Sequence, residues 1–129
     1  MERDYTLREA SENYLEAILS LEDESGLARS IDVAGALGVS RPSVNKALGV
    51  LKKAGMVDQQ PYGRISLTPD GRRRAKEVMR RHGVIKGFLI NVLGVDDETA
   101  DFEACKMEHV FSEQTMKKLT DYLEKNDSR

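Results

Sequence analysis

The stretch "VAGALGVSRPSVNKALGVLKKAGMV", residues 33–57, constrains the fold more than any other part of the chain. With Ile31 before it, Val33, Ala34 and Leu37 give a short helix one apolar face. Gly38 stops that helix, because glycine tolerates the left-handed backbone of a helix end. Ser40 can cap a second helix, and Pro42 fits its first turn. Val44, Ala47, Leu48 and Leu51 then supply a new core face, and Gly55 closes it. Two short helices joined by a tight glycine-bearing turn form a helix-turn-helix.

The next stretch, "MVDQQPYGRISLTPDG", changes period. Val57, Ile65 and Leu67 alternate as strand residues do, and Pro61, Tyr62 and Gly63 supply the turn. A short β-hairpin there is the wing of a winged helix-turn-helix. Upstream, "TLREASENYLEAILSLEDE" reads as an amphipathic helix with Leu7, Tyr14, Ile18 and Leu21 at helical spacing, widened by Leu15 and Leu19. Thr6 and Glu9 have capping-box spacing, and "ESGLA" breaks the helix. Downstream, Thr68 and Pro69 open another helix. It starts with "GRRRAKEVMRR" and extends through "HGVIKGFLINVLG" if Gly83 and Gly87 do not interrupt it. "DDETADFEACKMEHVF" forms the next helix. Ser112 caps a last one, with Met116, Leu119, Tyr122 and Leu123 as its stripe.

At 129 residues the chain forms one compact domain or two small ones sharing a core. It has no apolar run near the roughly 20 residues of a membrane span, and its start is too polar for a secretory signal. The single cysteine excludes an internal disulfide, so a cytoplasmic location without membrane contact is expected. Few aromatics and no Trp argue against stacking platforms for single strands.

The net charge of −2 conceals an asymmetry. Residues 1–26 hold two arginines against eight acids, a net −6, and residues 77–129 hold eight bases against eleven acids, a net −3. Residues 27–76 hold ten Lys and Arg against three acids, a net +7, which points to a local polyanion contact. A recognition helix offers short polar donors at its N-terminal end. Ser40, Arg41, Ser43, Asn45 and Lys46 fit. Asn45 can read adenine, while Arg41 or Lys46 can read guanine. Pro42 at the helix start, with Tyr62 and Arg64 on the wing, completes the candidate DNA-binding residues. Lys52, Lys53, Arg64 and the run Arg72, Arg73, Arg74 can hold phosphates.

"EACKMEHVFS", residues 103–112, places Cys105, Glu108 and His109 at i, i+3 and i+4. On a helix these share one face, and thiolate, carboxylate and imidazole together can grip a divalent metal. The same spacing also fits a small core cysteine beside two surface polar residues.

Nearly the whole chain resembles the metal-dependent repressors typified by the diphtheria toxin repressor and the manganese transport regulator. "SENYLEAILSL" resembles the family's first helix and "VAGALGVSRPSVNKALGVLKKAGMV" its helix-turn-helix. "PYGRISLTPDGRRRA" resembles its wing and linking helix, "RRHGVIKGFL" and "EACKMEHVFS" its dimerisation and metal-binding segments. The resemblance implies a mainly α fold. A winged helix-turn-helix over residues 1–75 would be followed by a helical dimerisation and metal-binding domain over 76–129. It implies metal ligands at Asn13, Glu16, His82, Cys105, Glu108 and His109, and a dimer surface including Phe88, Leu89, Val92 and Leu93.

Departures from the family pattern bear on the metal. The manganese type has Asp where Asn13 stands, and the iron type has Met. Glu16 follows the manganese type and Cys105 the iron type. An ancillary site of the iron type uses an acid where Lys86 stands and a histidine where Asp101 stands, so that site is expected to be absent or altered. The extra C-terminal domain of the larger iron repressors is also expected to be absent.

The implied function is a metal-dependent transcriptional repressor, not an enzyme. A divalent transition metal acts as corepressor, Fe(II) favoured by the thiolate and Mn(II) possible through Glu16 and Glu108. It enables a homodimer to bind double-stranded palindromic operator DNA. The alternative is a winged-helix regulator that senses oxidation at Cys105 or a small ligand without a metal. A winged-helix adaptor binding no metal is a further rival. A metal-dependent hydrolase would need an open metal position and a general base, and neither H-E-x-x-H nor G-x-S-x-G occurs.

Overall fold

A computed structural model of the chain describes residues 2–127, and the side chains of residues 8–126. The elements run α1 (Glu2–Leu21), β1 (Leu27–Arg29), α2 (Ser30–Leu37), α3 (Arg41–Lys53), β2 (Val57–Gln60), a 3-10 turn (Pro61–Gly63), β3 (Arg64–Leu67), α4 (Pro69–Asn91), α5 (Asp97–Met107) and α6 (Glu113–Asp127). The fold is mainly α with a small antiparallel sheet, as the sequence implies. Two compact units divide it, Met1–Glu77 and Val78–Arg129, and the division falls inside α4. No described helix is long and apolar enough to cross a membrane.

In the first unit α1 begins at Glu2, so Thr6 lies within the helix rather than at its cap. The side chains of Thr6 and Leu7 fall outside the described residues. Tyr14, Leu15 and Ile18 of α1 meet Val33 and Ala34 of α2, and Val44, Leu48 and Leu51 of α3. Ala28, Val57, Ile65 and Leu67 of the sheet and Ala75 of α4 close this core. Each large aliphatic side chain so buried contributes about 1.5–3 kcal/mol. Two members of the expected faces stay outside. Ile31 is 55% exposed and Leu21 is 36% exposed, because eight-residue α2 and the last residue of α1 run past the core edge.

The turns follow local chemistry. Gly38 adopts φ 65° and caps α2, and Ser40 Oγ accepts the Ser43 N–H at 3.3 Å to cap α3. Thr68 joins three segments: its N–H donates to Met56 O, its hydroxyl donates to Gly55 O at 2.6 Å, and its Oγ1 accepts the Gly71 N–H at 3.0 Å. Gly71 has no alternative there, since a Cβ would sit 1.9 Å from Met56 O. The wing is broader than a hairpin. Strand order is β1-β3-β2, and the extra strand β1 lies in the "ESGLA" region that reads as a mere helix break.

In the second unit Ile85 and Leu89 of α4, Ala100 and Ala104 of α5 and Met116 of α6 form the core. Phe88, Phe111 and Leu119 pack partly buried against it. α4 runs unbroken through Gly83 and Gly87. Asp96 caps α5 by accepting the Thr99 N–H, and Ser112 caps α6 by accepting the Thr115 N–H.

Candidate metal centre and nucleic-acid interface

The helix expected to carry Cys105, Glu108 and His109 on one face ends at Met107. Glu108 is its C-cap, still αR, and His109 lies in the turn beyond. A buried arginine accounts for the stop. Arg81 on α4 donates from Nη1 to Glu108 O at 2.9 Å and to Phe111 O at 3.1 Å. A continuing helix would offer those carbonyls to Ser112 N and Thr115 N. The Thr115 N–H goes to Ser112 Oγ instead, and α6 starts afresh.

This turn places Glu108 and His109 at 0% and 1% exposure. The Glu108 carboxylate lies between two imidazoles: Oε2 is 2.9 Å from His82 Nδ1, and Oε1 is 3.4 Å from His109 Nε2. His82 Nε2 is 2.8 Å from Asp101 Oδ1, and Lys86 Nζ stands 3.2 Å from the same carboxylate oxygen. The His82 hydrogen bond, then Lys86, holds the Asp101 carboxyl below its usual range; Asp101 in turn raises the Lys86 ammonium. Cys105 is half-buried on the last turn of α5.

The structure thus brings His82, Glu108 and His109 together. Sequence reading missed two neighbours, Arg81 and the Asp101 partner of His82. Only the "RRH" run preceding the His82 segment hints at Arg81. Among the described residues no three His, Cys, Asp or Glu side chains stand in ready metal-ligating geometry. In this arrangement Glu108 and His82 bind one another. The donor types still fit a divalent transition ion: a carboxylate and an imidazole withdrawn from water, a second imidazole and a nearby thiol. Asn13 and Glu16, expected to belong to the ligand set, lie three residues apart on α1, both half-buried.

In the first unit α3 turns Val44, Leu48 and Leu51 inward and leaves Ser40, Arg41, Pro42, Ser43, Asn45 and Lys46 exposed. The Ser40 and Ser43 hydroxyls share a 2.9 Å hydrogen bond. On the wing Tyr62 is 96% exposed with φ 63°, a backbone that non-glycine residues seldom adopt, and Arg64 is exposed.

The arginine run behaves differently from a free phosphate-binding stripe. Arg72 makes a bidentate pair with Glu22, at 2.6 and 2.9 Å. Arg74 reaches buried Glu12 at 3.2 Å, and Arg73 pairs with Asp70. Acids of α1 and its following turn thereby neutralise part of the +7 segment. Among the described residues Arg29, Arg41, Lys46, Lys52, Lys53 and Arg64 are exposed and take part in no ion pair.

Two family profiles cover the chain. The iron dependent repressor N-terminal DNA binding domain matches residues 6–65, and the iron dependent repressor metal binding and dimerisation domain matches residues 68–128. The transcriptional regulator MntR of Escherichia coli O6:H1 is 38% identical over 122 residues, 95% of this chain and 78% of that protein. The diphtheria toxin repressor of Corynebacterium glutamicum is 31% identical over 118 residues, 92% of this chain and 52% of that protein. The solved manganese regulator SloR superposes with a TM-score of 0.78 at 26% identity, over 88% of this chain. The chain spans 53% of the length of that structure.

Proposed function

From the premise that the chain belongs to the iron dependent repressor family, transcriptional regulators rather than enzymes, we propose that a divalent metal is its corepressor and palindromic operator DNA its target. The observation that carries the reading is the burial of Glu108 and His109 beside His82. Burial strips a carboxylate and an imidazole of water and gathers them with a second imidazole, and a divalent ion would bind these donor types together where Glu108 and His82 now bind one another. The proposed ligands are His82, Cys105, Glu108 and His109, with Glu16 and Asn13 as the contribution of α1.

Bound there, a divalent ion would link imidazole, carboxylate and thiolate donors in one coordination sphere. The chain's own residues prepare the site. Arg81 fixes the turn that carries Glu108 and His109. Asp101 holds the far nitrogen of His82 and so sets its ring orientation. Cys105 is the softest donor and tilts selectivity towards Fe(II), while Glu16 and Glu108 keep Mn(II) competent. Exposed Ser40, Arg41, Pro42, Ser43, Asn45 and Lys46 enter the major groove, with Tyr62 and Arg64 on the wing. Two copies of the chain present two such helices to two half-sites.

The test is operator-fragment binding by the full chain with Mn(II), anaerobic Fe(II), Zn(II) or a chelator. Tight binding that appears with metal and disappears with chelator is expected, with Fe(II) acting at lower free concentration than Mn(II). Binding that ignores every metal but responds to peroxide would favour oxidation sensing at Cys105 instead.

A further inference from the structure

We propose that Arg29 and Arg64 together form one seat for a DNA backbone phosphate, built where the wing sheet runs into α2. The inference rests on the DNA-binding reading above, which already places Arg64 at the duplex, and adds Arg29 and the sharing of one phosphate between the two. Arg29 stands directly opposite Arg64 in the β1–β3 register, and Gln60 stands opposite Arg64 on the other side. Opposed residues of antiparallel strands project to the same face, with β-carbons about 4.5–5.5 Å apart. The neighbouring pair, Ala28 and Ile65, faces the core, and both arginines face solvent. Like charges placed so repel and weaken the sheet.

Among the described residues Arg41, Lys46, Lys52 and Lys53 are also exposed without an ion pair, but none of them stands opposite a like charge in the sheet. Arg72, Arg73 and Arg74 each have an acid, whereas among the described residues neither Arg29 nor Arg64 has one. By register the nearest carboxylate on their face is Asp58, opposite Ser66, two residues along the strand and in no ion pair. A third donor adjoins them: a Cβ built on Gly63 would stand 3.0 Å from Ser30 Oγ, so Ser30 lies against the wing turn beside Arg29. Two forked guanidiniums and a hydroxyl match the oxygens of a phosphodiester. A backbone phosphate, held there by the rest of the duplex contact, relieves the repulsion that the bare sheet carries. The contact is sequence-independent, so it sets affinity and salt dependence rather than base preference.

The experiment uses the full chain saturated with Mn(II) or, anaerobically, Fe(II), and a fluorescent mixed-sequence duplex of about 30 base pairs, long enough for a palindromic site. Binding is measured against KCl for the parent, Arg29→Gln, Arg64→Gln and the double variant. Each single variant is expected to bind about 3–10-fold more weakly and to reduce the slope of log K against log salt by about 0.9, one phosphate's worth. The double variant is expected to lose the same 0.9, because both arginines hold one phosphate. Without DNA the effect reverses sign: either glutamine raises the low-salt melting temperature by about 1–3 °C, and 1 M KCl removes the gain.

Arg29→Gln with parental affinity and slope overturns the proposal, as does a double variant that loses twice the slope. Inorganic phosphate at matched ionic strength is expected to leave the parent's melting temperature unchanged. A shift there that Arg29→Gln abolishes, with duplex binding intact, makes this a free-anion site instead. A parent that binds no duplex with either metal overturns the DNA-binding reading itself, and this inference with it.

Discussion

In the unit Met1–Glu77 the side chains proposed to meet DNA stand outside an apolar core; in Val78–Arg129 two of the side chains proposed to hold metal, Glu108 and His109, stand inside, while His82 and Cys105 are half-buried. Asn45 and Lys46 are exposed while Val44 and Leu48, their neighbours on α3, are buried. Glu108 and His109 are as buried as Ile85 and Met116, which make the second core. A surface reader can change without disturbing the fold beneath it. A buried ligand cannot, because its burial, its hydrogen bonds and the turn that carries it are one arrangement. The first unit therefore separates stability from function, and the second unit joins them.

The strongest way to break this comparison is His109→Ala. Loss of this proposed, buried ligand is expected to reduce metal-stimulated DNA binding at least about tenfold, towards the metal-free level. It is also expected to cost about 2 kcal/mol of stability through the lost volume and hydrogen bonding. Metal titration of duplex binding and urea unfolding report the two effects. Unchanged metal dependence would remove His109 from the ligand set, and unchanged stability would show that the second unit does not couple the two. The first unit offers a purely structural counterpart. Gly71→Ala places a methyl group against the Met56 carbonyl and is expected to cost about 3 kcal/mol in urea unfolding. Metal binding by the second unit should survive it.

The same contrast explains what the sequence could disclose. Gly38, Gly55, Ser40, Pro42 and, through its cap on Gly71, Thr68 act on neighbours a few residues away, so the helix-turn-helix and the start of α4 are legible from local chemistry. Three-residue β1 is too short to show alternation, and only its pairing with β3, nearly forty residues on, makes it a strand. The end of α5 is equally non-local, because Arg81, 27 residues before Glu108, takes the carbonyls that a longer helix would need. Charge counting found the basic segment but not that Arg72 and Arg74 are answered by Glu22 and Glu12. Asp101 reads as the mark of an altered ancillary site, whereas its structural role is to hold His82.

Lys46→Ala sharpens the comparison from the other side. Lys46 is exposed on α3 and makes no ion pair among the described residues. Its removal is expected to change unfolding free energy by less than about 0.5 kcal/mol. Base preference at one position per half-site should change by about 1–3 kcal/mol. Selection of bound duplexes from a randomised pool, run beside urea unfolding, reads both. An unaltered preference would show that Lys46 is not a reader; a large loss of stability would show that the first unit is not as separable as its burial pattern indicates.

The smallest expected effect concerns the ion pair that ties α4 to the end of α1. Glu22 accepts two hydrogen bonds from Arg72, and these, then the Arg72 charge, hold its carboxyl below the ordinary carboxylate value despite partial burial. A carboxyl depressed in the folded state is more acidic there than in the unfolded chain. Its stabilisation is fully present above the unfolded value, in the mid-4 range, and is lost as pH falls through the lower folded value. Both partners remain partly solvated, so the pair contributes about 1 kcal/mol at neutral pH. Glu22→Gln is expected to remove that amount at pH 7 and progressively less as pH falls through the lowered folded value, where the parent's carboxyl itself becomes protonated. Unfolding curves of parent and variant should therefore converge with acid. Parallel curves throughout the acid range would mean that Arg72 gains nothing from the Glu22 charge. Arg72 would then be available to a phosphate after all, and the first unit would present more of its positive charge to DNA than its internal pairing implies.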